Sequence, residues 1–272
     1  MRKRRDKALR EEILMRPCPM DAAAATIDPS EIEKFSAIAD EWWDPFGKFR
    51  PLHRFNPTRL LFIKNAVCAH FGRDAGAREP LQGLRILDVG CGGGLVAEPM
   101  ARLGAGVTAI DASERNIKTA MVHAADSGLE IDYRATSVED LVAAGGAAFD
   151  VVLNLEVVEH VADVNAFLAH SAALVKPDGM MIVATINRTL KAFALAKVAA
   201  EYILGWLPRG AHDQRKFLRP DEIAASLERA GMSVKAFTGV SYNPLMDQWR
   251  TSTDTAVNYM ATAVKTAQSS AP

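Results

Sequence analysis

Acids and glycines at fixed spacing are the residues of this chain that could do chemistry. Asp88, Gly90, Gly92 and Gly94 alternate with single residues in RILDVGCGGG, at the end of the apolar run 85–89. Glycine tolerates positive φ and leaves no Cβ between the backbone N–H groups and a ligand. Asp111 closes a second apolar run, 106–110, and so places a carboxylate at a strand end. Further along, Glu156, Glu159 and His160 lie close together. Spacings of three and four put them on one face if that stretch is helical. Two carboxylates and an imidazole can hold Mg²⁺ or a related divalent ion. His160 alone can instead act as a general base, or it can have a purely structural role.

Positioning these residues requires a strand into the glycine turn, a helix over 95–103 with its N-terminus facing the turn, and a second parallel strand ending at Asp111. That is a nucleoside-binding βαβ half. A dinucleotide would ask for G-x-G-x-x-G and a pyrophosphate at the helix N-terminus. Here an acid precedes the turn, which repels a pyrophosphate but suits a ligand carrying an ammonium and a sulfonium. S-adenosylmethionine is such a ligand. LDVGCGGG followed by AID resembles the nucleotide-binding motifs of class I S-adenosylmethionine-dependent methyltransferases. The resemblance implies an α/β fold with a doubly wound, mostly parallel, seven-stranded sheet. It also implies cofactor contacts from Gly90, Gly92, Gly94 and Asp111, and from Val138 in the turn after the third strand.

A narrower resemblance rests on the N-terminal segment AxxWWDxxGxFRPLHRFNPxRL, residues 39–60, and covers about residues 29–265. It is similar to the signature of the ubiquinone biosynthesis O-methyltransferases, which methylate catechol-type hydroxyls of polyprenylated rings. The resemblance implies 2-polyprenyl-6-hydroxyphenol and 3-demethylubiquinol as acceptors. It implies that Arg59, just after the Asn-Pro, contacts the cofactor, and a guanidinium can hold a carboxylate with two parallel bonds. Leu155 matches a residue that touches the cofactor in that family. The family's eukaryotic relatives look like divalent-metal enzymes, with ligands matched here by Glu156, Glu159 and His160. Trp42 and Trp43 read as a packing plug in preference to part of a lid.

Chain organisation follows from punctuation. A helix capped by Asp28 or Ser30 runs to Trp43, where Pro45 ends it. Residues 47–57 read as a loop, and a second helix covers 59–71. The expected units are a disordered basic tail, 1–27; a helical cap, 28–83; a methyltransferase domain, 84–265; and a disordered tail, 266–272. After the fifth strand an insertion, 190–207, reads LKAFALAKVAAEYILGWL. Its charges fall in one polar arc of a helix, which suits a membrane interface, with packing on the protein's own core or on a second subunit as the alternative. His212 and Asp213, just beyond, match a His-Asp of the family.

The formal net charge of -1 argues against a nucleic-acid polyanion as partner. Three cysteines without metal-type spacing read as free thiols. No run is long and apolar enough to span a bilayer, so the expectation is a cytoplasmic protein held peripherally at the inner membrane, with a place in a ubiquinone-biosynthesis complex. The rivals are a methyltransferase for a soluble small acceptor and a non-catalytic scaffold that binds cofactor at a membrane.

Overall fold

The computed structural model describes residues 26, 28–146, 148–189, 217–243, 246 and 248–266. The insertion 190–207, His212 with Asp213, and most of both tails lie outside the described residues. Among the described residues there are seven α-helices and eight strands, alternating from the first strand to the fifth. Helix α1 (Pro29–Ser36) is capped by the Asp28 carboxylate, which accepts from the Ser30 N–H. It stops short of the expected end at Trp43, and a 3₁₀ turn, Ala39–Glu41, carries the chain on.

Helix α2 (Arg50–His70) contains Pro57 and swallows most of the expected loop 47–57. A proline in a helix interior forfeits one backbone bond and costs about 3 kcal/mol. Phe55, Arg59, Ile63 and Val67 recur every four residues on its buried side, and that packing outweighs the lost bond.

Strands β1 (Arg85–Val89), β2 (Gly106–Asp111), β3 (Asp132–Ala135), β4 (Phe149–Leu155) and β5 (Val175–Ile186) pair in parallel. Between them run helices α3 (Ala97–Arg102), α4 (Glu114–Asp126), α5 (Val138–Ala143) and α6 (Val164–Ala173). Helix α3 is shorter than the expected 95–103, and Val138 opens a helix rather than lying in a turn. The last helix, α7 (Pro220–Arg229), leads into β6 (Met232–Asn243), β7 (Gln248–Ser252) and β8 (Asn258–Lys265).

The sheet therefore has eight strands, not seven, in the order β3-β2-β1-β4-β5-β8-β6-β7. The addition is β7, which folds back on β6 as an antiparallel edge strand. Alternate residues of the central strands face opposite layers. Ile86, Val151 and Ile182 pack with Ile63 and Val67 of α2, while Leu87, Val152 and Met181 pack with Phe167, Leu168, Ile223 and Leu227 on the other side. The order reverses between β1 and β4, and a crevice at the carboxyl ends of strands opens at such a switch point.

Candidate active site

The turn after β1 is held by its own backbone. Gly90 and Cys91 N–H groups both donate to the Ile110 carbonyl, at 2.8 and 3.0 Å. Gly90, Gly92 and Gly94 all have positive φ. At Gly92 (φ 54°) a side chain would be strained and would also collide with the Trp42 indole. Asp111 stands at the end of β2, as expected from its place after the apolar run. One carboxylate oxygen accepts the Gly92 N–H at 2.9 Å; the other accepts Ser113 N–H at 2.8 Å and the Asn116 amide at 3.2 Å. The acid thus fixes the glycine turn as well as facing the crevice.

The paired tryptophans bind this turn from above. The Trp42 ring lies against Gly92 and Gly93, stacks on Phe49 at 3.8 Å between centroids, and donates its indole N–H to Asn116 at 3.0 Å. Trp43 donates to the Gly93 carbonyl at 2.9 Å and stacks on His123, whose Nδ1 meets the buried Glu98 at 2.6 Å. The sequence gives no sign of Asn116, and it marks His123 only as an ordinary surface or packing residue. Both lie inside α4, where nothing in their spacing separates them from packing residues.

Arg59 comes to the same crevice from α2. Its guanidinium donates to the Asn56 amide oxygen, and Asn56 in turn donates to the Leu95 carbonyl at 2.7 Å, just past the glycine turn. Arg59 is buried, with the charges of Glu156 and Asp88 beside it, and desolvation pulls its pKa down against their attraction. Asp88 is also buried. Burial pushes its carboxyl up to about 7, opposed by Arg59 and assisted by Asp111. Its Oδ2 has no hydrogen-bond partner among the described residues.

Leu155 ends β4, one residue beyond the Asn154 that pairs with Val89, and so adjoins the glycine turn. Glu156 then takes a left-handed conformation, φ 56°, rare for a residue with a side chain, while its N–H donates to Ala184 at 2.9 Å. From there the chain makes a tight turn, His160 N–H to Val157 carbonyl at 2.8 Å, and not a helix. The expected common face of Glu156, Glu159 and His160 is therefore lost. Glu159 is buried and Glu156 half-buried, the two are hydrogen-bonded to each other, and desolvation raises both, Glu159 the further because Glu156 opposes its ionisation. Thr185 donates to Glu159 at 2.8 Å. His160 turns toward α1 instead, its Nδ1 3.0 Å from Glu31 Oε2 and its ring edge against Phe35.

Among the described residues no three His, Cys, Asp or Glu side chains are grouped as a metal ion would require. The expected Mg²⁺ site thus finds no support: as arranged here, with the two glutamates on each other and His160 on Glu31, these residues do not fit a divalent ion. The cofactor is a better match. A buried cation, Arg59, beside two acids, Glu156 and an Asp88 with an orphaned oxygen, suits a zwitterion bearing an extra positive sulfur.

A family model described as a methyltransferase domain matches residues 62–236. The chain is 61% identical to a ubiquinone biosynthesis O-methyltransferase of Parvibaculum lavamentivorans over 242 residues, 89% of this chain and 95% of the relative. It is 60% identical to the one of Brucella anthropi over 247 residues, 91% and 99% of the two chains. Among solved structures, the magnesium protoporphyrin IX methyltransferase of Synechocystis with bound S-adenosylhomocysteine shares the fold, with TM-score 0.58 and 21% identity over 85% of this chain and 99% of that one. The plantazolicin methyltransferase aligns with TM-score 0.59 at 17% identity, covering 88% and 97%. A methyltransferase fold, an acid-bearing glycine turn at its switch point and near-full-length identity of this order place the chain in the ubiquinone biosynthesis O-methyltransferase family.

Proposed function

We propose that the chain transfers a methyl group from S-adenosylmethionine to catechol-type hydroxyls of polyprenylated rings, 2-polyprenyl-6-hydroxyphenol and 3-demethylubiquinol. The observation that carries this reading is the identity of about 60% to relatives of that name across 95–99% of their length. S-adenosylmethionine, when bound, supplies a methyl group made electrophilic by the sulfonium. The work of the chain is to hold the acceptor oxygen in line behind that methyl and keep water out.

Arg59 is assigned to the methionyl carboxylate, and Asp88 with Asp111 to the positive and hydroxyl-bearing parts of the cofactor. Gly90, Gly92 and Gly94 allow close approach of the backbone, and Leu155 supplies an apolar wall. A phenol titrates near pH 10, so at pH 7 about one in a thousand is ionised, a deficit of roughly 4 kcal/mol. His160 is the candidate base. Its Nδ1 contact with Glu31 favours the tautomer that donates there and orients the ring. A divalent ion would need His160 to leave Glu31 and the glutamate pair to open.

The acceptor's tail belongs in a bilayer, which favours a membrane-interface role for the apolar stretch 190–207. No described helix is long and apolar enough to cross a membrane. Equal liposome flotation of the wild type and a Leu195→Glu, Ile203→Glu variant would end the interfacial reading. For the reaction, purified protein is incubated with S-adenosylmethionine and a short-chain prenylated catechol, with and without EDTA and added Mg²⁺. Release of S-adenosylhomocysteine is expected. No release with this acceptor, but release with a soluble catechol, overturns the acceptor assignment.

A further inference from the structure

Behind the glycine turn lies a buried carboxylate that methyl transfer does not use. Glu98 is the second residue of α3, and its side chain is 2% exposed. Its backbone N–H donates to the Gly94 carbonyl at 3.1 Å, so the residue is tied directly to the turn. Taking a carboxylate out of water is costly unless partners meet it. Here His123 Nδ1 stands 2.6 Å from one oxygen, and the Arg102 guanidinium 3.5 Å from the other. The consequence is an imidazole of fixed orientation.

That imidazole lies flat on Trp43, with 3.4 Å between ring centroids and 3° between the planes. Trp43 falls between the 3₁₀ turn and α2, with no helix or strand of its own to hold it. The His53 ring meets it only edge-on, at 6.4 Å. From its place on His123, the Trp43 indole N–H donates to the Gly93 carbonyl at 2.9 Å. The other end of the same peptide unit, the Gly94 N–H, donates to the Cys91 carbonyl at 3.0 Å. A planar unit held at both ends cannot rotate without breaking a bond. Gly92, Gly93 and Gly94 have no side chains to restrain it otherwise.

We propose that His123, oriented by Glu98, is a positioning residue for the cofactor: it holds Trp43 against the Gly93 carbonyl and so fixes the peptide plane of the glycine turn. This rests on the reading of that turn as the S-adenosylmethionine cradle, and it names residues outside the cradle that keep it in shape. The circuit runs from the Gly94 carbonyl through Glu98, His123 and Trp43 back to the Gly93 carbonyl.

Calorimetric titration with S-adenosylhomocysteine, run well below each variant's melting temperature, tests this. The wild type is titrated first; failure to bind defeats the cradle itself before any variant is considered, and this assignment with it. His123→Asn keeps a donor where Nδ1 stands but removes the stacked ring, and it should weaken binding about three- to tenfold. His123→Phe keeps the ring and drops the donor, so its melting temperature should fall while affinity stays within about twofold of wild type. Trp43→Phe keeps the ring and loses the N–H, with a loss of affinity about as large as that of His123→Asn. With that link already cut, adding His123→Asn to Trp43→Phe should weaken binding by no more than about a further twofold. Unchanged affinity in His123→Asn overturns the proposal. So does a second loss of full size in the double variant, which would make His123 act by a route other than Trp43. A loss in His123→Phe beyond about threefold overturns it as well, and decides the matter alone should His123→Asn not fold.

Discussion

The glycine turn after β1 and the turn after β4 lie side by side, but they are built in opposite ways. In the first, backbone does most of the work: N–H groups find Ile110 and Asp111 within residues 88–116, and Trp42 and Trp43 then pack over the finished turn. In the second, side chains do it, and their partners come from Glu31, Thr185 and Arg59, up to 129 residues away in sequence. A cradle made of backbone needs glycine spacing and is carried by local sequence. A cluster made of side chains can be dismantled by one left-handed residue, Glu156, that sends its members to different partners.

The sharpest way to break this contrast is at Gly92. Gly92→Val adds strain at φ 54° and pushes into Trp42, so a loss of about 2–5 kcal/mol in stability is expected, with cofactor binding abolished. Thermal melts and calorimetric titration with S-adenosylhomocysteine read both, and a variant that binds normally shows that the cradle tolerates side chains. Asp88 comes next. Its folded pKa, about 7, lies above the ordinary carboxylate value of 3.8, so folding favours its protonated form. The stability this gives is fully present below about pH 4 and is lost as pH rises to about 7, up to roughly 4 kcal/mol in all. Asp88→Asn should remove that slope from denaturant midpoints measured between pH 4 and 8; an unchanged slope would place the charge elsewhere.

Arg59→Lys keeps the charge but loses the planar fork. A drop of about 1.5–3 kcal/mol in cofactor affinity is expected, roughly ten- to 150-fold, and a change under threefold would remove Arg59 from the carboxylate role. The smallest effect belongs to Glu31→Ala. It breaks one contact of the side-chain cluster and should cost about 1 kcal/mol of stability while leaving S-adenosylhomocysteine affinity intact. Were cofactor affinity to fall as far as for Arg59→Lys, the two turns would be a single coupled unit.

The same contrast explains what could be read from the residues. RILDVGCGGG and the acid at Asp111 announce a strand, a turn and a second strand end because each signal is contiguous, and the structure puts Gly90, Gly92, Gly94, Asp111, Arg59 and Leu155 around one crevice. The first two parallel strands are legible as the apolar runs 85–89 and 106–110. The spacing of Glu156, Glu159 and His160 misled because it presumes a helix, and no residue near them signals the reversal at Glu156. Helix α2 hid behind Pro57, whose local penalty is outweighed only by packing against a sheet that lies elsewhere in the chain. Strand β7 hid because its exposed, alternating Gln248-Trp249-Arg250 gains its register from β6 alone.

The placement of the indoles has an optical consequence. The chain has four tryptophans; Trp42 and Trp43 touch the glycine turn, Trp249 sits in the β6–β7 hairpin, and Trp206 falls in the insertion. Indole fluorescence is sensitive to whatever adjoins the ring, so cofactor binding should leave a spectral imprint on an unlabelled sample. Removing Trp42 and Trp43 together would silence the signal that cofactor binding gives through the glycine turn.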